Sequence, residues 1–142
     1  MKVLVADTED IKAKAFELRN EVFVVEQMVS REDEFDEFED TSTHFVAFDD
    51  EAPIGAARWR ETKNGVKLER FVVKQSHRSA GVGSALVEAV LTDIRAKKGE
   101  GQYLYLHAQL TAIPLYEKFG FQKTGPQFSE CNIEHFKMDR FS

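Results

Sequence analysis

The stretch of this chain most able to do chemistry is Arg78-Ser79-Ala80-Gly81-Val82-Gly83-Ser84, lying between an apolar strand, Leu68 to Val73, and a helical pattern. Val82, Leu86, Ala89, Val90 and Ile94 recur at the spacing of a half-buried helix, so Gly81 and Gly83 fall where strand becomes helix. The first amides of a helix have no internal partner and carry the positive end of its dipole, which favours phosphate oxygens. Glycine lets the backbone turn sharply and come close to such a group, and Arg78 adds a fixed charge. An ordinary strand-to-helix turn reads the same way, so other segments have to decide. A P-loop is excluded, because no Lys-Ser or Lys-Thr pair follows the second glycine, and GxGxxG is absent.

The elements that must position this loop follow from periodicity. Residues 2 to 6 read as a strand; Asp7 or Thr8 can cap a helix with Ile11, Ala15, Leu18 and Val22 on one stripe. Strands are expected at 44–48, 54–60 and 67–73, the last two joined by the hairpin signal Asn64-Gly65. After the glycine-loop helix come a strand at 103–107, a short helix at 111–119 with Pro114 in its first turn and Gly120 at its end, and strands at 121–124 and 133–140. The order is βα(α)βββαβαββ, an α+β single domain over residues 1–142 with helices on both faces of a mostly antiparallel sheet of about seven strands.

Composition narrows the function classes. No apolar run approaches the ~20 residues of a membrane span, and the N-terminus lacks a signal-peptide core, so a cytoplasmic protein without membrane contact is expected. One cysteine, Cys131, rules out an internal disulfide; with His135 four residues on it could be a nucleophile, but a buried or incidental thiol is the plainer reading. His44, His77, His107 and His135 lack zinc spacing, so no metal is expected. The net charge of −6 is concentrated in residues 26–40, which hold eight acids against one arginine. Nucleic acid is therefore an unsuitable partner. The acidic run reads either as a solvated, mobile loop or as a lure for a cationic substrate.

RxxGxG, taken with LYEKFGF (Leu115 to Phe121), resembles the GNAT acetyltransferase superfamily, and the element order is that of its acyl-CoA N-acyltransferase fold. LRNEVFVVEQ (Leu18 to Gln27), TSTHF, AARWR, RFVV and GPQFSECNIEHFKM (Gly125 to Met138) resemble its ElaA-like branch over nearly the whole chain. The branch usually has Asp-Gly at Cys131-Asn132, a proline at Glu134 and a small residue at Glu69. The resemblance implies acetyl-CoA as co-substrate, its pyrophosphate on Arg78, Ser79, Ala80, Gly81, Val82, Gly83 and Ser84, and its pantetheine arm beside Phe71, Val72 and Val73. It also implies that Glu26, His44, Arg58, Arg70, Gln109 and His135 surround an acceptor pocket.

Acetyl transfer to an amine expels a thiolate, which a phenol near the sulfur can protonate, and Tyr116 is the candidate acid. The base is open among Glu26, Glu69, His44, His135 and water. Strand alternation puts Glu69 on the face of Phe71, exposed or paired with Arg58 or Arg60. The expected reaction is acetyl transfer from acetyl-CoA to a primary amine, on a small molecule or a protein terminus and better cationic. The alternatives are a non-catalytic acyl-CoA-binding module and transfer of longer acyl chains. Exposed strand edges near Ile133 to Arg140 would allow a homodimer.

Overall fold

The computed structural model describes residues 1–142. One seven-stranded sheet runs in the order β1-β2-β3-β4-β5-β7-β6, with β1 Lys2–Val5, β2 Thr43–Asp49, β3 Ala52–Thr62, β4 Gly65–Val73, β5 Tyr103–Gln109, β6 Gln122–Glu130 and β7 Ile133–Phe141. Every pairing is antiparallel except β4 with β5. Thr8 caps α1 (Glu9–Arg19) by accepting the Ile11 amide at 3.2 Å. The chain then widens into a π-helix over Asn20–Glu26, closed by the Gln27 amide on the Val22 carbonyl, five residues back. Ser30 caps a single turn, α2 (Arg31–Glu34). The long helix α3 covers Val82–Lys98, and α4 Ile113–Glu117 follows a 3₁₀ turn at Leu110–Ala112.

Period-two alternation on β2 divides the apolar residues between two cores. Phe45 and Ala47 face α3, where Leu86, Val87, Val90 and Ile94 are fully buried, together with Trp59, Leu68, Leu104, Leu106 and Met138. Val46 and Phe48 face the opposite way, onto Ala15, Leu18 and Val22, with Ala56 and Val72. Both helical stripes expected from sequence are therefore the buried ones.

The exposed strand edge expected near Ile133 to Arg140 is corrected, because β7 is paired on both sides, with β5 and β6, and the sheet's edges are β1 and β6. Three further departures from expectation have local causes. The helix expected at 111–119 splits, because its first residues wind as the tighter 3₁₀ turn and Gly120, at φ +86°, ends the last one. β6 continues to Glu130 past an irregularity between Thr124 and Phe128, where Gly125 turns at φ +76°. The third lies on β4, where Arg70 adopts φ +60° and Arg70 and Phe71 together oppose Ala57, a β-bulge. The bulge breaks the alternation, so Phe71 packs on the α3 side while Glu69 faces the arginines of the other side. The expected shared face of Glu69 and Phe71 is corrected.

The feature that matters most for the site is a failure of pairing. β4 and β5 are in register only at Val66–Leu104 and Lys67–Tyr105; beyond these the strands part, leaving a cleft that runs to Val73 and Gln109.

Candidate active site

Two cavities open from this cleft. The first, about 610 Å³, runs along the glycine loop and is lined by Val72, Val73, Arg78, Ser79, Gly81, Val82, Gly83, Ser84, Leu115 and Lys118. Gly81 takes φ +84° as the cap of α3, a conformation that penalises a side chain. A Cβ on Gly83 would lie 3.1 Å from the Leu115 side chain. The first helical bond is that of the Ala85 amide to the Gly81 carbonyl, which leaves the amides of Val82, Gly83 and Ser84 without helical partners. A phosphate fits this cradle chemically, with Lys118, bonded to Ser84 at 2.9 Å, beside it. Of the loop residues expected here, only Ala80 does not line the groove.

Arg78 is already engaged. Its Nε donates to the Val73 carbonyl at 3.0 Å, and its two terminal nitrogens grip the Glu26 carboxylate at 2.6 and 2.8 Å. That hydrogen bond lowers Glu26 below the ordinary glutamate value, and Glu26 lines neither cavity. The structure ties it to Arg78 of the glycine loop.

The second cavity, about 360 Å³, lies on the other side of the bulge. Its back wall is a buried ion network. Arg58, 0% exposed, bonds Glu69 at 2.7 Å, Asp36 at 2.7 and 3.0 Å, and Glu39 at 2.9 Å. Arg19 holds Glu34 at 2.7 Å and Glu39 at 2.7 and 2.8 Å, while Arg70 reaches Asp36 at 3.2 Å and the Glu34 carbonyl at 3.2 Å. Arg60 and Lys67 close on Glu69 at 3.0 and 3.1 Å. Burial alone would raise Glu69. The Arg60 hydrogen bond and the charges of Arg58, Lys67 and Arg70 overcome this and hold it at about 2. A carboxylate so stabilised is a poor proton acceptor at neutral pH.

Much of the acidic run is tied to cations of the chain itself. Glu26, Glu34, Asp36, Glu39 and Asp40 are each paired with a cation elsewhere in the chain. Among the carboxylates lining the second cavity, Asp33 alone has no ionic partner; Glu130 is held by His107 at 3.0 Å. Of the expected acceptor-site residues, Arg70, Gln109 and His135 line this cavity; Arg58 and His44 lie behind it. His44 donates Nε2–H to the Glu39 carbonyl at 2.8 Å, and its Nδ1 is buried without a partner. Burial lowers His44 below its ordinary value, so the neutral ring is the one that fits.

His135 differs. Its Nδ1 donates to the Ile133 carbonyl at 2.6 Å, since that oxygen can only accept, so in the neutral ring the lone pair lies on Nε2, which has no protein partner. Stacking on Phe128, with ring centres 5.7 Å apart, fixes the ring. Cys131 also lines this cavity, exposed in the two-residue turn Cys131-Asn132, where both residues take positive φ, at +52° and +63°. Partial burial and the nearby Asp33 and Glu130 raise its thiol, the opposite of what activates a nucleophile. Of the two plain readings of this cysteine, buried or incidental, its exposure removes the first.

The two cavities share Gln27, Phe71, Ala112 and Tyr116. Tyr116, 6% exposed, meets Phe71 and Phe121 edge-on, and burial pushes its phenol well above the ordinary value near 10, so it keeps its proton through neutral pH. Gln27 was not singled out from sequence, since only the fold brings it beside Gln109.

The family model for the acetyltransferase (GNAT) domain matches residues 7–140. The chain belongs to the GNAT acetyltransferase family. A Bacillus subtilis (strain 168) relative, the uncharacterized N-acetyltransferase YjcF, is 42% identical over 139 residues, covering 97% of this chain and 98% of its own. Among solved structures, an acyl-CoA N-acyltransferase from Pseudomonas aeruginosa superposes with TM-score 0.87 at 26% identity, covering 99% of each chain. Escherichia coli ElaA superposes with TM-score 0.85 at 23% identity over 98% of this chain and 97% of its own. This GNAT acetyltransferase therefore has the acyl-CoA N-acyltransferase fold and is an acyltransferase drawing on acyl-CoA. No helix in it is long and apolar enough to cross a membrane.

Proposed function

We propose that the protein transfers an acetyl group from acetyl-CoA to a primary amine held in the second cavity, by direct attack on the thioester. The observation that carries this reading is that the glycine-loop groove and the acceptor cavity meet at Tyr116. A thioester delivered along the groove reaches that junction, and the acceptor approaches it from the other side. Holding the two there turns a bimolecular attack into a positioned one.

The proton steps follow from the donors and acceptors present. His135 Nε2 takes the proton of the incoming ammonium, and the freed nitrogen attacks the thioester carbon. Main-chain N–H groups released at the Arg70 bulge polarise the carbonyl oxygen. As the C–S bond breaks, Tyr116 gives its proton to the departing thiolate, and the second proton that the attacking nitrogen sheds on becoming an amide restores the phenol through water. Asp33, the unpaired carboxylate of the cavity, favours a cationic amine locally. The charged wall of Glu69, Arg70, Asp36 and Lys67 disfavours a long acyl chain in that space.

The test is the melting temperature with and without acetyl-CoA at about 100 times a micromolar dissociation constant. Binding to the native state alone adds ~2.7 kcal/mol, a rise of roughly 5 to 10 °C, followed by turnover in an amine screen. No rise, or a rise retained in full when Arg78 and Lys118 are both replaced by Glu, would sink the assignment of the groove.

A further inference from the structure

At the open end of the cleft, Gln109 Nε2 donates to Gln27 Oε1 at 2.9 Å, and Gln27 Nε2 donates back to Gln109 Oε1 at 3.4 Å. This reciprocal amide pair joins residues 82 apart, one following the π-helix and the other at the end of β5, across the gap left where β4 and β5 separate. Gln27 is also one of the four residues common to both cavities. The chain around the pair is not packed for stability: Met28 takes φ +62° with 83% exposure, and Val25 and Leu110 are exposed.

We infer that the Gln27–Gln109 pair is the stop that limits the acyl group to a short chain and narrows the access of water to the thioester, leaving open the approach of the amine beside Tyr116. The inference rests on the reading that the thioester reaches Tyr116. From there the way into the second cavity passes Gln27, Phe71 and Ala112, the other residues that the two cavities share. A longer chain has to displace the amide pair, leaving two half-buried amides without partners and its own methylenes against Glu69, Arg70 and Asp36. A site that rejects a substrate by unpairing its own polar groups discriminates more strongly than one relying on shape. Two planar amides satisfying each other also form a unit that either partner's loss opens equally.

The experiment measures dissociation constants of acetyl-CoA and hexanoyl-CoA by calorimetry for the wild type and for Gln27→Ala, Gln109→Ala and the double variant. Spontaneous thioester hydrolysis is followed alongside. The wild type is expected to prefer acetyl-CoA at least tenfold. Each single variant should cut that preference about tenfold, the double variant should add little further, and hydrolysis of acetyl-CoA should rise in all three. Gln27→Asn and Gln109→Asn break the pair by shortening one arm while keeping its polarity, and serve if an alanine variant does not fold. A wild type binding both thioesters equally, or variants with an unchanged preference, overturns the stop. A wild type that binds neither thioester overturns the underlying reading instead.

Discussion

The two cavities that meet at Tyr116 are built by opposite means. The groove is made from backbone: a left-handed Gly81, a side-chain-free Gly83 and three helix amides without partners, all within a few consecutive residues. The acceptor cavity is made from side chains, its wall a network of Arg19, Arg58 and Arg70 with Glu34, Asp36, Glu39 and Glu69, gathered from α1, the acidic run, β3 and β4. A backbone cradle suits a ligand common to a whole family, since almost any surrounding sequence can form it. A wall of paired charges holds a particular shape and permits a particular acceptor, because each member is fixed by several others.

The junction should be the most sensitive position. Tyr116→Phe removes the proton donor and keeps the aromatic body, so kcat should fall by about 10² to 10⁴ while the acetyl-CoA dissociation constant stays within about twofold. Equal losses in rate and affinity would mean that Tyr116 only shapes the groove.

Next comes the wall itself. Arg58→Met takes from Asp36, Glu39 and Glu69 the guanidinium they share and leaves each with its other cation, Arg70, Arg19, and Arg60 with Lys67, so the cost falls at the low end of that for breaking a buried pair, about 3 kcal/mol. Thermal unfolding should drop by on the order of 10 °C. Below that temperature acetyl-CoA should still bind, since the groove is built without Arg58. Loss of acetyl-CoA binding in a folded variant would erase the distinction between the two regions.

Acid should act on the same wall. Asp36 is held at about 2, its arginines and the Phe38 amide outweighing burial, and Glu69 at about 2 for the reason given above. Both lie below their unfolded values, so their contribution is complete above about pH 4.5 and disappears as pH falls toward 2. His44, lowered by burial, begins the loss earlier: below about pH 6.5 the unfolded chain takes up a proton that the folded one resists. Glu34 moves the other way, burial outweighing its arginines, and offsets part of the loss. Melting temperature against pH should thus decline in two stages, below about 6.5 and again below 4.5. In Arg58→Met the second stage should be smaller.

The same contrast explains what could be read from the sequence. Element order, both helical stripes and the glycine loop follow from local pattern, because periodicity and glycine placement are signals between residues a few positions apart; Tyr116 came instead from the family resemblance of LYEKFGF. The ion network has no such signal. Arg19 and Glu34 are 15 residues apart, Arg58 and Asp36 22, Arg70 and Glu34 36, and an acidic run has the same composition solvated or folded inward. The bulge at Arg70 is equally silent, since neither glycine nor proline marks it. It moved Phe71 to the other face, and tertiary contacts from Asp33, Glu34 and Asp36 hold the backbone there. Gln27 went unassigned because its meaning depends on Gln109, which only the fold brings beside it.

Where the two regions touch outside the junction, the smallest effect separates two roles for one residue. Glu26 was a candidate base, yet its carboxylate is chelated by Arg78 at the mouth of the groove. Both side chains are more than a third exposed, and ion pairs in that setting contribute about 0–1 kcal/mol. A thioester whose phosphates need Arg78 has to take it from Glu26. Glu26→Gln should therefore tighten acetyl-CoA by up to about fivefold, with the gain shrinking as salt is raised, and should leave kcat near the wild-type value. A base would show the reverse, with affinity unchanged and kcat reduced by about 10² or more. The first result would place Glu26 with the cofactor loop; the second would return it to the acceptor side and weaken the case for His135.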